Sequence, residues 1–282
     1  MSGVGERLRQ VAIEVTDSTG EKLALVSLDA LCVVAKAAGL SRRDVEIASL
    51  RERIVPMRYA RNLGTVGWAG QIALLESTVA VVGAGGLGGW VVEGLARMGV
   101  GHLIIIDGDL FQESNLNRQS LSTEGNLGKA KVEAARERVA AVNAAVEVIV
   151  HQVRADEQQL LELLAGADVV VDALDALPIR LALQRVVEKL RIPLVHGAIA
   201  GFVGQVMTIL PGDPGLLALF GHNNPPERGM EAQWGNPAAT PLMVAAWQIH
   251  EVVKLLTGCG EVLRRRMLFM DGETGAIDVL QV

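Results

Sequence analysis

The stretch Thr78-Val79-Ala80-Val81-Val82-Gly83-Ala84-Gly85-Gly86-Leu87-Gly88-Gly89-Trp90 decides the fold. Val79 to Val82 is apolar at every position and mostly β-branched, as a strand covered by helices on both faces must be. The glycines that follow turn the chain into a helix. Gly83 suits the tight turn, Gly85 the close approach of backbone to a phosphate, and Gly88 the packing of helix on strand. Unpaired N–H groups and the helix dipole favour an anion at such a helix start, with Gly86 in the same cradle.

Working outward, short β-branched runs alternate with helical segments. Strands are expected at 78–82, 102–106, 145–150, 168–172 and 193–197, with helices at 86–98, 128–142, 156–165 and 178–190. This alternation is that of βαβ units, hence an α/β, doubly wound (Rossmann-like), mostly parallel sheet. After Gly201 it stops. Val203 to Leu210, Met267 to Met270 and Ala276 to Leu280 read as an antiparallel extension, the last two joined at 271–275. Between them come a Gly-, Pro- and Asn-rich stretch at 211–240 and a helix from Thr240 to Leu256 that Gly258 ends. Residues 1–55 read as a small, α-rich N-terminal unit. It holds a strand at Val11 to Val15, a turn at Thr16 to Gly20, and two helices, the second capped by Ser41 with Asp44 three residues on. Pro56 closes it, and 56–282 form the main domain.

Composition narrows the class. Half of the 282 residues are hydrophobic, enough to bury a sizeable core, and no apolar run approaches the length of a membrane span. No signal segment opens the chain, and a cytoplasmic location is expected. A net charge of −6 argues against a general nucleic-acid binder, and the mixed charge of the N-terminal helices against a DNA-reading helix-turn-helix. With only Cys32 and Cys259, neither a disulfide framework nor a cysteine zinc site can form.

The glycine loop alone fits a nicotinamide dinucleotide as well as ATP. Asp107 ends the second strand about 20 residues past Gly88, where a carboxylate can bond ribose hydroxyls. Downstream, Arg118 and Lys131 bring two cations toward the loop, which suits a triphosphate and the charge that builds during nucleotidyl transfer. Asp172 and Asp175 follow the fourth strand, at the sheet edge where one carboxylate can hold Mg²⁺ against phosphate, while Asp172 can instead cap the next helix. His196, His222 and His250 read as strand-end, loop and helix residues without a catalytic part.

Six ordered motifs carry a resemblance: Arg58-Tyr59-Ala60-Arg61-Asn62, Gly83 to Gly88, Asp107-Gly108-Asp109, Ser114-Asn115-Leu116-Asn117-Arg118-Gln119, Gly128-Lys129-Ala130-Lys131-Val132-Glu133 and Asp172-Ala173-Leu174-Asp175. Together they resemble the ThiF/MoeB/HesA family, the bacterial relatives of the adenylation domain of ubiquitin-activating enzymes. The resemblance spans about residues 57–281. It implies an ATP-dependent adenylyltransferase that activates the C-terminal Gly-Gly carboxylate of a ubiquitin-fold sulfur carrier protein, serving molybdenum or tungsten cofactor, thiamine or a related sulfur pathway. By position, Asp107 would hold the ribose, Arg118 and Lys131 the phosphates, and Asp175 the Mg²⁺. Asp109, Asn115 and Gln119 would line the nucleotide with Gly83, Gly85, Gly86 and Gly88. Arg61 would reach into the partner subunit of a homodimer.

Departures from the pattern matter too. The family's paired Cys-x-x-Cys motifs are missing near Leu219 to Asn224 and at the C-terminus, so no zinc is expected. No cysteine stands near Glu231 to Gly235, where some members form a covalent bond with the carrier. Ala176 replaces the Asn that usually follows the magnesium Asp, and the first 55 residues have no counterpart in minimal members. An NAD-dependent oxidoreductase and a nucleotide-binding regulatory module without chemistry remain the alternatives.

Overall fold

The computed structural model describes residues 2–16, 20, 22–221 and 231–282. The N-terminal part consists of α1 (Ser2–Val11), β1 (Ile13–Thr16), β2 (Lys22–Val26), α2 (Leu28–Ala38), α3 (Arg42–Arg51) and β3 (Ile54–Pro56). The strands make their own sheet in the order β1-β2-β3. After α4 (Leu63–Glu76) come β4 (Thr78–Val82), α5 (Gly86–Met98), β5 (His102–Ile106), α6 (Lys131–Val142), β6 (Glu147–His151), α7 (Glu157–Leu163), β7 (Val169–Asp172), α8 (Leu177–Leu190) and β8 (Leu194–Ala200). The chain finishes with β9 (Val203–Ile209), α9 (Gly215–Phe220), α10 (Glu231–Trp234), α11 (Ala239–Thr257), β10 (Arg266–Asp271) and β11 (Ala276–Gln281).

The main sheet runs β11-β10-β9-β8-β7-β4-β5-β6. Strands β4 to β8 pair in parallel, and β9 to β11 add the antiparallel extension expected from the sequence. Side-chain alternation divides the core in two. Val79, Val81, Leu103, Ile105, Val169 and Val171 face a cluster built with α5, α6 and α11. Ala80, Val82, Ile104, Ile106 and Val170 face the opposite cluster, built with α7, α8 and α9. From β4 the chain builds outward through β5 to β6, then returns to lay β7 on the other side of β4, so the order reverses there. Ligands of open α/β sheets bind at such a switch point, beyond the carboxyl ends of the strands.

The N-terminal part holds more strand than expected. Residues through Val11 are helical and the strand begins at Ile13. Leu8, fully buried, and Val4 make one apolar face four residues apart, but Gly3 and Gly5 lower the helix propensity that a sequence reading relies on. Pro56 ends an edge strand, where a missing N–H is tolerated. Helix α4 also escaped the pattern, because it is interrupted at Gly67, whose φ of 67° is left-handed. Two short helices, α9 and α10, lie in the stretch taken as loop. His222, the second half of the Leu219–Asn224 stretch and part of the Thr16–Gly20 turn lie outside the described residues. Ser41 caps α3 as expected, its Oγ accepting the Asp44 N–H at 3.1 Å. No helix among the described residues is long and apolar enough to cross a membrane.

Two polar ties hold the layers together. Tyr59, fully buried, donates its hydroxyl to Glu46 Oε2 on α3 at 3.0 Å and accepts from Asn143 Nδ2 at the end of α6 at 2.9 Å. Burial pushes the Glu46 carboxyl up, against the pull of Arg58, Tyr59 and Arg42. The second tie crosses β7 and β8. His196 Nδ1 donates to Asp172 Oδ2 at 2.7 Å, and Gln205 Nε2 lies 3.2 Å from its Nε2, so the ring is a neutral donor on one side and an acceptor on the other. Burial pushes His196 below its ordinary value of 6.5, the Asp172 carboxylate opposing this only in part.

Two outcomes follow. A Cβ at Gly88 would lie 1.8 Å from the Gly83 carbonyl oxygen, whereas one at Gly64 meets nothing within 4 Å. Gly88→Ala should therefore lower stability by about 1–3 kcal/mol in urea denaturation, while Gly64→Ala stays neutral or stabilises by up to ~1 kcal/mol. Because His196 is held neutral, the unfolded chain binds the extra proton below the ordinary value. The stability this contributes is present above about pH 6.5 and is lost as pH falls. His196→Gln should show a shallower fall of thermal midpoint between about pH 7 and pH 5 than the parent; equal slopes would refute the assignment.

Candidate nucleotide site

The glycine loop is built by contact of backbone on backbone. Gly83 sits at φ 98°, and a Cβ there would lie 2.5 Å from the carbonyl oxygen of Ala173, in the loop after β7. Its N–H donates to Ile106 O on β5 at 2.8 Å. Gly85 occupies the N-cap of α5, and no side chain caps that helix. The first-turn N–H groups of α5 thus have no side-chain acceptor among the described residues.

Asp107 fastens this loop to β5. Its Oδ2 accepts the Ala84 N–H at 2.7 Å and its Oδ1 the Asp109 N–H at 2.8 Å. Each oxygen keeps a further lone pair for a hydroxyl. Asn115 is buried, and its Oδ1 accepts the Gln112 N–H at 2.9 Å, closing a one-turn 3₁₀ helix at Glu113–Asn115. That turn sets the next residues: the Arg118 and Gln119 N–H groups both donate to Asn115 O. The Arg118 Cγ then passes 3.9 Å from where a Gly86 Cβ would stand, and its guanidinium donates to Ser114 O and Asn117 Oδ1. Gln119 brings its Nε2 to 3.5 Å from the corresponding point at Gly85. Its buried Oε1 has no hydrogen-bond partner among the described residues. An orphaned buried acceptor beside a glycine cradle is what a missing donor, such as a ligand hydroxyl, would satisfy.

Lys131 is the first residue of α6, with a side chain only 8% exposed. A cation is disfavoured at a helix N-terminus, and the Asp109 carboxylate offsets this from 3.0 Å. The other oxygen of Asp109 accepts from Arg154 at 2.8 Å. Burial raises the Asp109 carboxyl, but the bonds and charges of Lys131 and Arg154 outweigh it and hold it below the usual carboxylate range. Arg154 was not among the residues singled out from the sequence. The signal available was its place three residues past the carboxyl end of β6, the strand paired with β5.

Asp172 and Asp175 have separate fates. Asp172 is fully buried, with Oδ1 accepting the Leu174 N–H at 3.0 Å and Oδ2 on His196, so it ties the turn after β7 and has no free face for a metal. Gln248 of α11 reinforces it, donating to Asp172 O at 2.8 Å. Asp175 is exposed and makes no hydrogen bond or ion pair among the described residues. Glycine loop, Asp107, Asp109, Gln119, Arg118 and Lys131 therefore meet on one sheet edge, with Asp175 on its β7 side. Arg61 does not join them. It is exposed, with no hydrogen bond or ion pair among the described residues, two positions beyond buried Tyr59. His250 packs edge-on to Trp247 on α11.

The chain is similar to known proteins in sequence and in fold. The SAMP-activating enzyme E1 of Haloferax volcanii is 42% identical over 219 residues, covering 76% of this chain and 80% of that protein. The adenylyltransferase and sulfurtransferase MOCS3-2 of Zea mays is 36% identical over 230 residues, covering 80% of this chain. The match spans only 48% of the maize protein's own length. Among solved structures, E. coli MccB with ATP superposes with a TM-score of 0.68 at 20% identity, over 79% of this chain and 71% of that one, a likeness of fold. The sequence profile of the ThiF family matches residues 59–282, and the chain belongs to that family.

Proposed function

We propose that the chain is an ATP-dependent adenylyltransferase that activates the C-terminal carboxylate of a small ubiquitin-fold sulfur carrier ending in Gly-Gly. The observation that carries this reading is the meeting, on one sheet edge, of the uncapped start of α5 with Lys131, buried and charge-paired to Asp109. Family membership supports the reaction class, and the relatives named for carrier activation and adenylyl transfer support the substrate.

Mg-ATP enters as substrate. The glycine loop and the N–H groups of α5 take phosphate oxygens, Asp107 and the orphaned Gln119 amide take ribose hydroxyls, and Arg118 and Lys131 balance phosphate charge. Asp175 is the proposed protein ligand of the Mg²⁺, which ordinarily takes one or two carboxylates plus phosphates and water. A carrier carboxylate oxygen attacks the α-phosphorus, the bond to the bridging oxygen of the β-phosphate breaks, and pyrophosphate leaves with its electron pair. The carboxylate is already ionised at neutral pH, so the reaction needs positioning and charge neutralisation rather than a base. His196 fits that division, held neutral and buried beneath the site. The exposed Arg61 suits a residue that completes the site of a second copy in a homodimer. Without a cysteine near 231–235, the reaction ends at the acyl-adenylate on this chain, and the lack of cysteine pairs supports a zinc-free protein.

Carrier-dependent exchange of labelled pyrophosphate into ATP is the test. Lys131→Ala and Arg61→Ala should each lower the exchange rate at least ~100-fold. Mixing the two inactive variants should restore about a quarter of the parent rate, because half of the re-formed dimers carry one intact site. A monomer by light scattering, or no recovery on mixing, rejects the shared site. Calorimetric titration with ATP and NAD separately decides against the dehydrogenase alternative: ATP should bind and NAD should not.

A further inference from the structure

Arg154 is an exposed charged group at this sheet edge that the proposed reaction leaves unused. It enters from β6, the outermost parallel strand, while Asp175 comes from β7 two strands beyond β5. Its guanidinium donates to Asp109 Oδ1 at 2.8 Å and is raised by that bond, with smaller contributions from the charges of Asp107 and Asp175. The approach is built into the backbone. A Cβ at Gly108 would lie 2.5 Å from Arg154 Cγ and 2.8 Å from its N, so Gly108 lets the Arg154 segment lie against the loop after β5.

We propose that Arg154 is a further nucleotide-binding residue, whose guanidinium exchanges Asp109 for a phosphate oxygen of the bound polyphosphate. The inference rests on the reading of this edge as an ATP site. Three features favour the exchange. The Arg154 side chain is 85% exposed, so its ion pair with Asp109 is solvent-screened and cheap to break. Asp109 is not stranded when Arg154 leaves, because its other oxygen keeps Lys131, whose side chain is 8% exposed. Finally, the crevice carboxylates Asp107, Asp109 and Asp175 outnumber Arg118 and Lys131, the cations that the proposed reaction uses. Arg154 brings the edge to neutrality, without which a polyanion would meet net negative charge. Arginine's forked donors suit phosphate oxygens.

Calorimetric titration in magnesium buffer, with ATP, AMP and inorganic tripolyphosphate as probes, tests the proposal on the parent chain, Arg154→Ala and Arg154→Lys. Arg154→Ala should weaken ATP and tripolyphosphate by about 10- to 100-fold, and AMP by less than ~3-fold. Arg154→Lys should recover part of the loss, keeping the charge but not the fork. Equal weakening of ATP and AMP would make Arg154 a wall for the adenosine and overturn the proposal. So would ATP binding unchanged in Arg154→Ala. If the parent chain itself binds neither ATP nor tripolyphosphate, the nucleotide reading falls and takes this inference with it; if the parent binds both and the variant matches it, only the role of Arg154 falls.

Discussion

Everything at the carboxyl edge of the main sheet depends on how closely three pieces of backbone approach at Gly83, Gly88 and Ala173. Two of them can do so only without a side chain: a Cβ at Gly88 would enter the Gly83 carbonyl, and one at Gly83 would enter that of Ala173. The contact seats the start of α5 directly on the end of β4 and draws the turn after β7 over it. Hydrogen bonds lock the arrangement laterally, from Gly83 N to Ile106 O and from Ala173 N to Val82 O. Spacing between the strands is thus fixed by the main chain, and the side chains that follow them arrive at set places.

Charge is then layered on this scaffold according to exposure. Asp172, fully buried, is matched to the protein's own donors, and Asp107 is bound to two backbone N–H groups. Farther out, Asp109 divides its two oxygens between a buried lysine and an exposed arginine. Asp175, exposed on the β7 side, has neither among the described residues. Internal ties therefore thin out from the sheet outward, as the proposed cradle for a highly charged substrate requires.

The parallel half of the sheet was legible because strands covered on both faces are apolar at every position, and the glycine loop between β4 and α5 confirms their direction of travel. The strands at 78–82 and 102–106 match the expected positions residue for residue, and the antiparallel strands after Gly201 lie close to theirs. The N-terminal part was less readable because its sheet is assembled from strands of four, five and three residues, too short for a period to emerge. Helix α4 is apolar nearly all round and broken at Gly67, so no amphipathic stripe marks it. In the site, Asp172 and Asp175 are alike in sequence, and only the packing of His196 and Gln248 beneath one of them tells them apart. Arg154 belongs to no spaced motif, and its contact with Asp109 joins loops 45 residues apart.

The buried hydroxyl of Tyr59 has a consequence for anyone who would cut or recombine this chain. It joins Glu46 on α3 to Asn143 at the far end of the helix whose first residue is Lys131, and it lies two positions before Arg61. Ile47 and Leu50 of α3 cover Leu75 of α4 in the same cluster. A fragment begun at Met57 would leave the Tyr59 hydroxyl without its Glu46 acceptor and Leu75 without its α3 cover, however tidy the boundary looks along the sequence. Chimeras that borrow a different N-terminal segment inherit the same demand: the donor must supply an acceptor for that phenol and an apolar lid for that helix.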